Sequence, residues 1–219
     1  MRTNIKNNVQ DGFTIIELLV ATSILSVILL LVTGMLISIS NLFLKDVNQS
    51  KIQDTVRSIS DELSNQLQLT ADQPQLGSQV IAGVRINTYC IGPNRYSFVL
   101  DTQMGTNTGQ IPHVLWRDTP KTGCDPSRAA HLTRPGFPSN QPNGADLIST
   151  GSQLTDFCIG TFNSGTCLPA ASPYTVSIGV GYGASDLLHV AGINSSCNVQ
   201  IGDQFCATAS LVTTVANRL

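Results

Sequence analysis

Charge is what this sequence has least of. Lys, Arg, Asp and Glu together make up 12% of 219 residues, against about 25% in ordinary soluble domains. The net charge of -2 excludes a nucleic-acid binder that works through its bulk charge. Aromatic residues are also scarce, at 5%. Hydrophobic residues reach 42%, so the chain is not disordered by composition, because disorder needs low hydrophobicity together with high net charge. Only one long apolar run is present, which excludes a polytopic membrane protein. Catalytic and metal signatures are missing as well. His113, His131 and His189 are far apart, and there is no H-E-x-x-H, P-loop or G-x-S-x-G pattern. No Asp-rich calcium loop occurs. Gly179, Gly181 and Gly183 are too closely spaced for a dinucleotide loop and read as a flexible strand end. Asn194-Ser195-Ser196 matches a glycosylation triplet of a kind frequent by chance.

What is there begins at the N-terminus. From Leu18 to Leu44 the chain runs without a charge, rich in Leu, Ile and Val. A membrane span needs about 20 predominantly apolar residues. Arg2 and Lys6 lie upstream, so the positive-inside rule keeps that end cytoplasmic and sends the remainder outward. The apolar part of a secretory signal peptide is about 7–15 residues and closes on a small-residue cleavage site. This run is longer and lacks such a site. One carboxylate, Glu17, sits among Phe13, Ile15, Ile16, Leu18, Leu19 and Val20. A charge in that setting costs a few kcal/mol and marks function by default.

The string Gly12-Phe13-Thr14-Ile15-Ile16-Glu17-Leu18-Leu19-Val20 resembles the class III leader of type IV pilins and of the pseudopilins of type II secretion. The resemblance implies cleavage by a prepilin peptidase after Gly12 and methylation of the new N-terminal residue, Phe13. It also implies that Glu17, in the fifth mature position, is the charge partner of a neighbouring subunit's N-terminal amine. Physics supports that role, since a buried carboxylate is tolerable only when paired. Many pilins carry a helix-breaking proline about two-thirds through this run, where this chain has Gly34. Glycine weakens a helix by about 1 kcal/mol relative to alanine.

Beyond the span the helical pattern continues. Ile52, Val56, Ile59, Leu63 and Leu67 recur on one stripe. Lys51, Gln53, Asp54, Arg57, Asp61, Glu62 and Gln66 are expected to face away, and Pro74 to mark the stop. A helix from Phe13 to Leu69 follows, apolar all round in its first half and suited in its second to packing on a head domain. A coiled-coil stalk would need more than five anchors.

Residues 71–219 contain no Glu and are rich in Ser, Thr, Gly, Asn and Pro. Strands are expected at Gln79–Ile86, Tyr96–Asp101, Val114–Arg117, Tyr174–Val180, Leu187–Val190 and Ala209–Val215. The fold class is α+β: a long helix packed on an antiparallel, β-rich head. All six cysteines, Cys90, Cys124, Cys158, Cys167, Cys197 and Cys206, lie in this head, as disulfides in an oxidising compartment would. Fifteen pairings exist. The simplest are local, Cys158 with Cys167 and Cys197 with Cys206, leaving Cys90 with Cys124. Zinc is disfavoured because no C-x-x-C pair or clustered His accompanies them. Residues 118–144 form a long irregular stretch to which Lys121, Arg128 and Arg134, with Arg117 just before it, give a basic bias offset by Asp118 and Asp125. It reads either as a ligand contact or as a disulfide-tethered excursion.

The domain plan is therefore a leader at 1–12, a transmembrane or filament-core helix at 13–44, its amphipathic continuation at 45–70, and a disulfide-containing head at 71–219. The expected function is structural rather than catalytic: a pilus or pseudopilus subunit, without cofactor or metal. The large cysteine-bearing head and Asp61-Glu62-Leu63 resemble minor subunits more than a small major one. The partners implied are prepilin peptidase, other pilin or pseudopilin subunits, an inner-membrane assembly platform and membrane lipid, with no ligand identified for the head. Rival readings are a tip adhesin or DNA-uptake subunit binding through the basic stretch, a membrane-tethered enzyme, and an uncleaved single-span protein. The expected location is the inner membrane with the head outside, then a surface or periplasmic filament.

Overall fold

The computed structural model describes residues 14–134, 144–163, 166–168, 172–184, 186–198 and 203–218. One helix, α1 (Ile15–Leu69), is followed by antiparallel sheets, the α+β class that the sequence pattern predicts. The chain divides into two compact units whose boundary falls between Phe43 and Leu44.

In the first unit, every described helical side chain is exposed. Five hydroxyls within it need nothing from outside, because each donates to a carbonyl one turn back. Thr22 donates to Leu19, Ser23 to Val20, Ser26 to Ser23, Thr33 to Leu29 and Ser38 to Gly34, at 2.7–3.1 Å. Such internal satisfaction is what lets polar residues sit in an apolar segment.

The second unit is built on the stripe. Ile52, Val56, Ile59, Leu63 and Leu67 are 0–2% exposed and belong to the main core cluster. Burial of an aliphatic side chain contributes about 1.5–3 kcal/mol. Strands β1 (Gln75–Ile81), β2 (Val84–Ile91), β3 (Asn94–Phe98), β4 (Leu115–Asp118) and β5 (Ala145–Asp146) form a five-stranded sheet in that order. The expected strand at 79–86 is instead a hairpin. Ala82 and Gly83 both have positive φ, 52° and 81°, the backbone of a two-residue turn, and Ile81 pairs with Val84. Apolar residues on both sides of the turn hide it from a pattern search.

A second sheet comprises β6 (Ser152–Asn163), β7 (Thr166–Leu168), β8 (Tyr174–Tyr182) and β11 (Ala207–Val215), ordered β11-β8-β6-β7. Between β8 and β11 lie the short pair β9 (Leu188–His189) and β10 (Ser196–Cys197) and a 3-10 turn, Asp203–Phe205. β6 is the longest strand and the least visible in sequence. It carries buried polar residues, Ser152, Gln153, Thr155 and Asp156, and a bulge between Leu154 and Asp156. The glycines of β8 are not a flexible end, because the strand continues to Tyr182. Gly181 lies where Leu188 fills the space a side chain would need.

The two sheets meet through aromatic rings. Tyr89 stacks on Phe98 at 5.7 Å, and Phe157 of β6 meets both edge-on, at 5.8 and 4.8 Å. Three disulfides join Cys90 to Cys124, Cys158 to Cys167 and Cys197 to Cys206.

Two residues expected to face solvent turn inward. Glu62 accepts from the Tyr96 hydroxyl at 3.0 Å and pairs with Arg117 of β4 at 3.0 Å. Gln66 accepts from the Asn94 amide at 2.9 Å. Both lie beside the stripe, within reach of the sheet it covers. Burial, followed by the Glu62 charge, raises the Tyr96 phenol well above its ordinary pKa, so it remains a donor.

Two predictions follow from these contacts. Glu62→Ala strands a buried hydroxyl and a guanidinium, and should cost about 1–3 kcal/mol in denaturant unfolding. Tyr96→Phe should cost less in that background than alone; equal costs in both backgrounds would refute the coupling. Asp156 is buried, which raises its carboxyl pKa against the pull of the Ser177 hydroxyl that donates to it. The folded state then binds more protons than the unfolded one between about pH 3.9, the unfolded carboxylate's value, and its raised folded pKa. Stability therefore falls as pH rises through the folded pKa and stays at the lower level beyond. Asp156→Asn should flatten that slope and match or exceed the parent Tm at pH 7; a lower Tm there would show the charge to be stabilising.

Candidate functional site

The functional residues proposed from sequence lie at the N-terminal end of α1. Gly12 and Phe13 fall outside the described residues, and Glu17 lies within them. Its carboxylate is engaged from within its own chain. The Thr14 backbone N–H donates to Glu17 Oε2 at 2.9 Å, and the Thr14 hydroxyl donates to the same oxygen at 2.8 Å. The Glu17 N–H in turn lies 3.4 Å from Thr14 Oγ1. Thr14 also supplies the carbonyl that accepts the helix's first bond, from Leu18 N at 3.2 Å. This is a capping box, in which two otherwise orphaned amides are satisfied reciprocally. The signal was present in the sequence as T-x-x-E over Thr14–Glu17. Considering Glu17 only as a charge in an apolar run overlooks it.

The apolar segment beside Glu17 is fully accessible. Ile16, Val20 and Ile24 are 50–70% exposed and, with Ala21, border a shallow concavity that includes Glu17. Among the described residues of this unit, none is buried. By length and composition the helix is long and apolar enough to cross a membrane.

Residues 7–33 match the prokaryotic N-terminal methylation motif. The match covers the N-terminal segment alone; with the long apolar helix and the β-rich head that follow, it makes the chain similar to type IV pilin-like proteins. No curated protein matches the chain. No solved structure matches it either.

Among the described residues, the rest of the chain offers no comparable constellation. Among the described residues, no three His, Cys, Asp or Glu side chains come together as a metal site. His113 lies 2.9 Å from the Asp146 carboxylate and edge-on to Trp116. Burial raises the Asp146 pKa, and the bond to His113 opposes the rise.

Where it is described, the basic stretch is tethered and partly packed, with Lys121, Arg128 and Arg134 exposed. Cys124 ties it to β2. Arg95 grips Asp118 through Nε at 2.8 Å and donates from Nη1 to the Arg128 carbonyl at 2.8 Å. Ala130 N–H donates to Ser97 Oγ, and Ala129, Ala130 and Leu132 are buried. Arg117 is paired with Glu62, which removes it from any basic patch. Residues 135–143 of this stretch lie outside the described residues.

A prediction isolates the capping box. Thr14→Val removes the hydroxyl and should lower helicity in the first turns, at a cost of about 1 kcal/mol, whereas Thr14→Ser should preserve it. Amide exchange at Leu18 and Leu19 in detergent micelles reports the difference. Equal protection in Thr14→Val and the parent would remove the box as a determinant of where the helix begins.

Proposed function

We propose that this chain is a structural subunit, of the minor pilin or minor pseudopilin kind, in a type IV pilus or type II secretion-like filament. In this reading the precursor sits in the inner membrane with its head outside. Prepilin peptidase cleaves after Gly12 and methylates Phe13, and an assembly platform extracts the subunit into the filament. The carrying observation is the methylation motif over residues 7–33 with Glu17 placed inside it. Support comes from the helix that follows. Its described residues in the first unit are exposed on every side, and five of its hydroxyls are satisfied within the helix, as suits a segment transferred from lipid to a bundle of like helices.

Glu17 has a definite part in this scheme. A carboxylate taken from an exposed setting into an apolar bundle needs a cation, and cleavage creates one at the N-terminus of each subunit. Thr14 satisfies one carboxylate oxygen beforehand, and the other is available to the amine. The head carries no catalytic role in this scheme, and its sheets and disulfides serve to hold a stable surface outside the membrane. A binding role for the basic stretch loses support once Arg117 is committed to Glu62.

N-terminal mass spectrometry of the chain, expressed with and without prepilin peptidase, tests the reading. A methylated Phe13 is expected with the peptidase and an intact Met1 without it. An intact Met1 in peptidase-positive cells would refute it. Glu17→Val should leave cleavage in place and reduce recovery of the subunit in sheared filaments; unchanged recovery would remove Glu17 from assembly.

A further inference from the structure

We propose that β1 is a self-pairing edge: a second copy of this chain adds its own β1 antiparallel, centred on Ser78, and joins two five-stranded sheets across a two-fold axis. The contact goes beyond the membrane reading above and does not depend on it. Three observations carry it.

The first is an open ladder. Among the described residues, β1 pairs with β2 alone. Ala82 and Gly83 form a two-residue turn with positive φ at both positions, so Ile81 and Val84, which close it, exchange both of their backbone hydrogen bonds. Bonded and non-bonded positions alternate along an antiparallel pair. Gln75, Gly77, Gln79 and Ile81 therefore bond to β2, and the N–H and C=O groups of Leu76, Ser78 and Val80 point to the open side. These groups have no backbone partner among the described residues.

The second is symmetry. Leu76 and Val80 lie two residues either side of Ser78 and on the same face of the strand. Both are exposed, at 39% and 63%. An antiparallel copy centred on Ser78 sets Leu76 opposite the partner's Val80, Val80 opposite the partner's Leu76, and Ser78 opposite the partner's Ser78. Every outward N–H then meets an outward C=O, for about six new hydrogen bonds. A shift of one residue would bring groups already bonded to β2 to the seam and lose them.

The third is the lack of any device that closes this edge. Proteins blunt their edges with brevity, charge, proline or a covering element. β5 and β7 have two and three residues, and β11 is flanked by Gln49, which donates to the Thr208 carbonyl. β1 has seven residues without charge or proline. Arg85, opposite Val80, sits on β2, one strand spacing behind the seam. An uncharged edge offers a charged strand nothing to pair with, whereas its own copy brings no charge to desolvate. A seam of this length is smaller than the interface of a permanent dimer, so pairing rises with concentration.

Thiol crosslinking of the full chain in detergent micelles tests this. The six native cysteines are committed to disulfides, so an introduced cysteine is the free thiol. Bonded partners in an antiparallel pair have Cα atoms about 5.5 Å apart, within disulfide reach. Ser78→Cys should therefore oxidise to a covalent dimer several-fold faster than Leu69→Cys, an equally accessible position that reports chance collision. Leu76→Cys mixed with Val80→Cys should crosslink to each other and neither to itself. Adding Ser78→Lys to both sets like charges face to face and should cut that yield by up to about fivefold. Ser78→Cys dimers forming no faster than those of Leu69→Cys would overturn the proposal. So would equal crosslinking of Leu76→Cys to itself and to Val80→Cys, or a yield unmoved by Ser78→Lys. Preferential crosslinking of Ser78→Cys to Leu168→Cys would overturn it in favour of β1 adding to the short edge β7.

Discussion

Everything in the head depends on one stripe of aliphatic side chains. Ile52, Val56, Ile59, Leu63 and Leu67 are the only large apolar residues of α1 that the structure buries, and the sheets close over them. The same helix, a few turns earlier, has apolar residues on every side and buries none. A single secondary-structure element thus meets two different demands. A one-sided pattern commits the second half to its own chain, where the match is intramolecular. An all-round pattern commits the first half to whatever surrounds it, lipid or other helices, because no single domain face could cover it.

The polar contacts flanking the stripe fix how the helix lies on the sheet. Aliphatic packing is non-directional, so five buried side chains alone would permit sliding or rotation. Glu62 reaching Tyr96 and Arg117, and Gln66 reaching Asn94, remove that freedom, since each acceptor has a defined partner on β3 or β4. The buried phenol of Tyr96 makes the arrangement exacting: displaced by one turn, it would lose its acceptor and leave a polar group without a partner.

How far these features can be read in the sequence depends on how local they are. The apolar run, the stripe and the leader motif are periodic or contiguous, so Leu18–Leu44 and Ile52–Leu67 are visible at once. Strands β3, β4, β8 and β11 carry enough β-branched and aromatic residues to be placed within a few positions. β6 is not, because it carries Thr155 and Asp156 inward, where Asp156 meets Ser177 of β8, a partner 21 residues away. The hairpin at Ala82–Gly83 is missed because alanine stands where asparagine or aspartate would have signalled the turn. The inward turn of Glu62 and Gln66 depends on side chains of β3 and β4, and no helical periodicity contains that information. At the candidate site both the carboxylate and its cap are local in sequence, the cap as T-x-x-E over Thr14–Glu17.

The helix also guards the outer border of the second sheet. Gln49 donates to the Thr208 carbonyl at one end of β11, and Arg218 N–H donates to the Gln68 carbonyl just past its other end. β11 pairs with β8 on one side only, and a strand left open invites another strand to add to it. Here the row is flanked by side-chain and main-chain groups of a helix, which cannot propagate a ladder. Copies of this chain brought close together would therefore meet along this border without fusing their sheets.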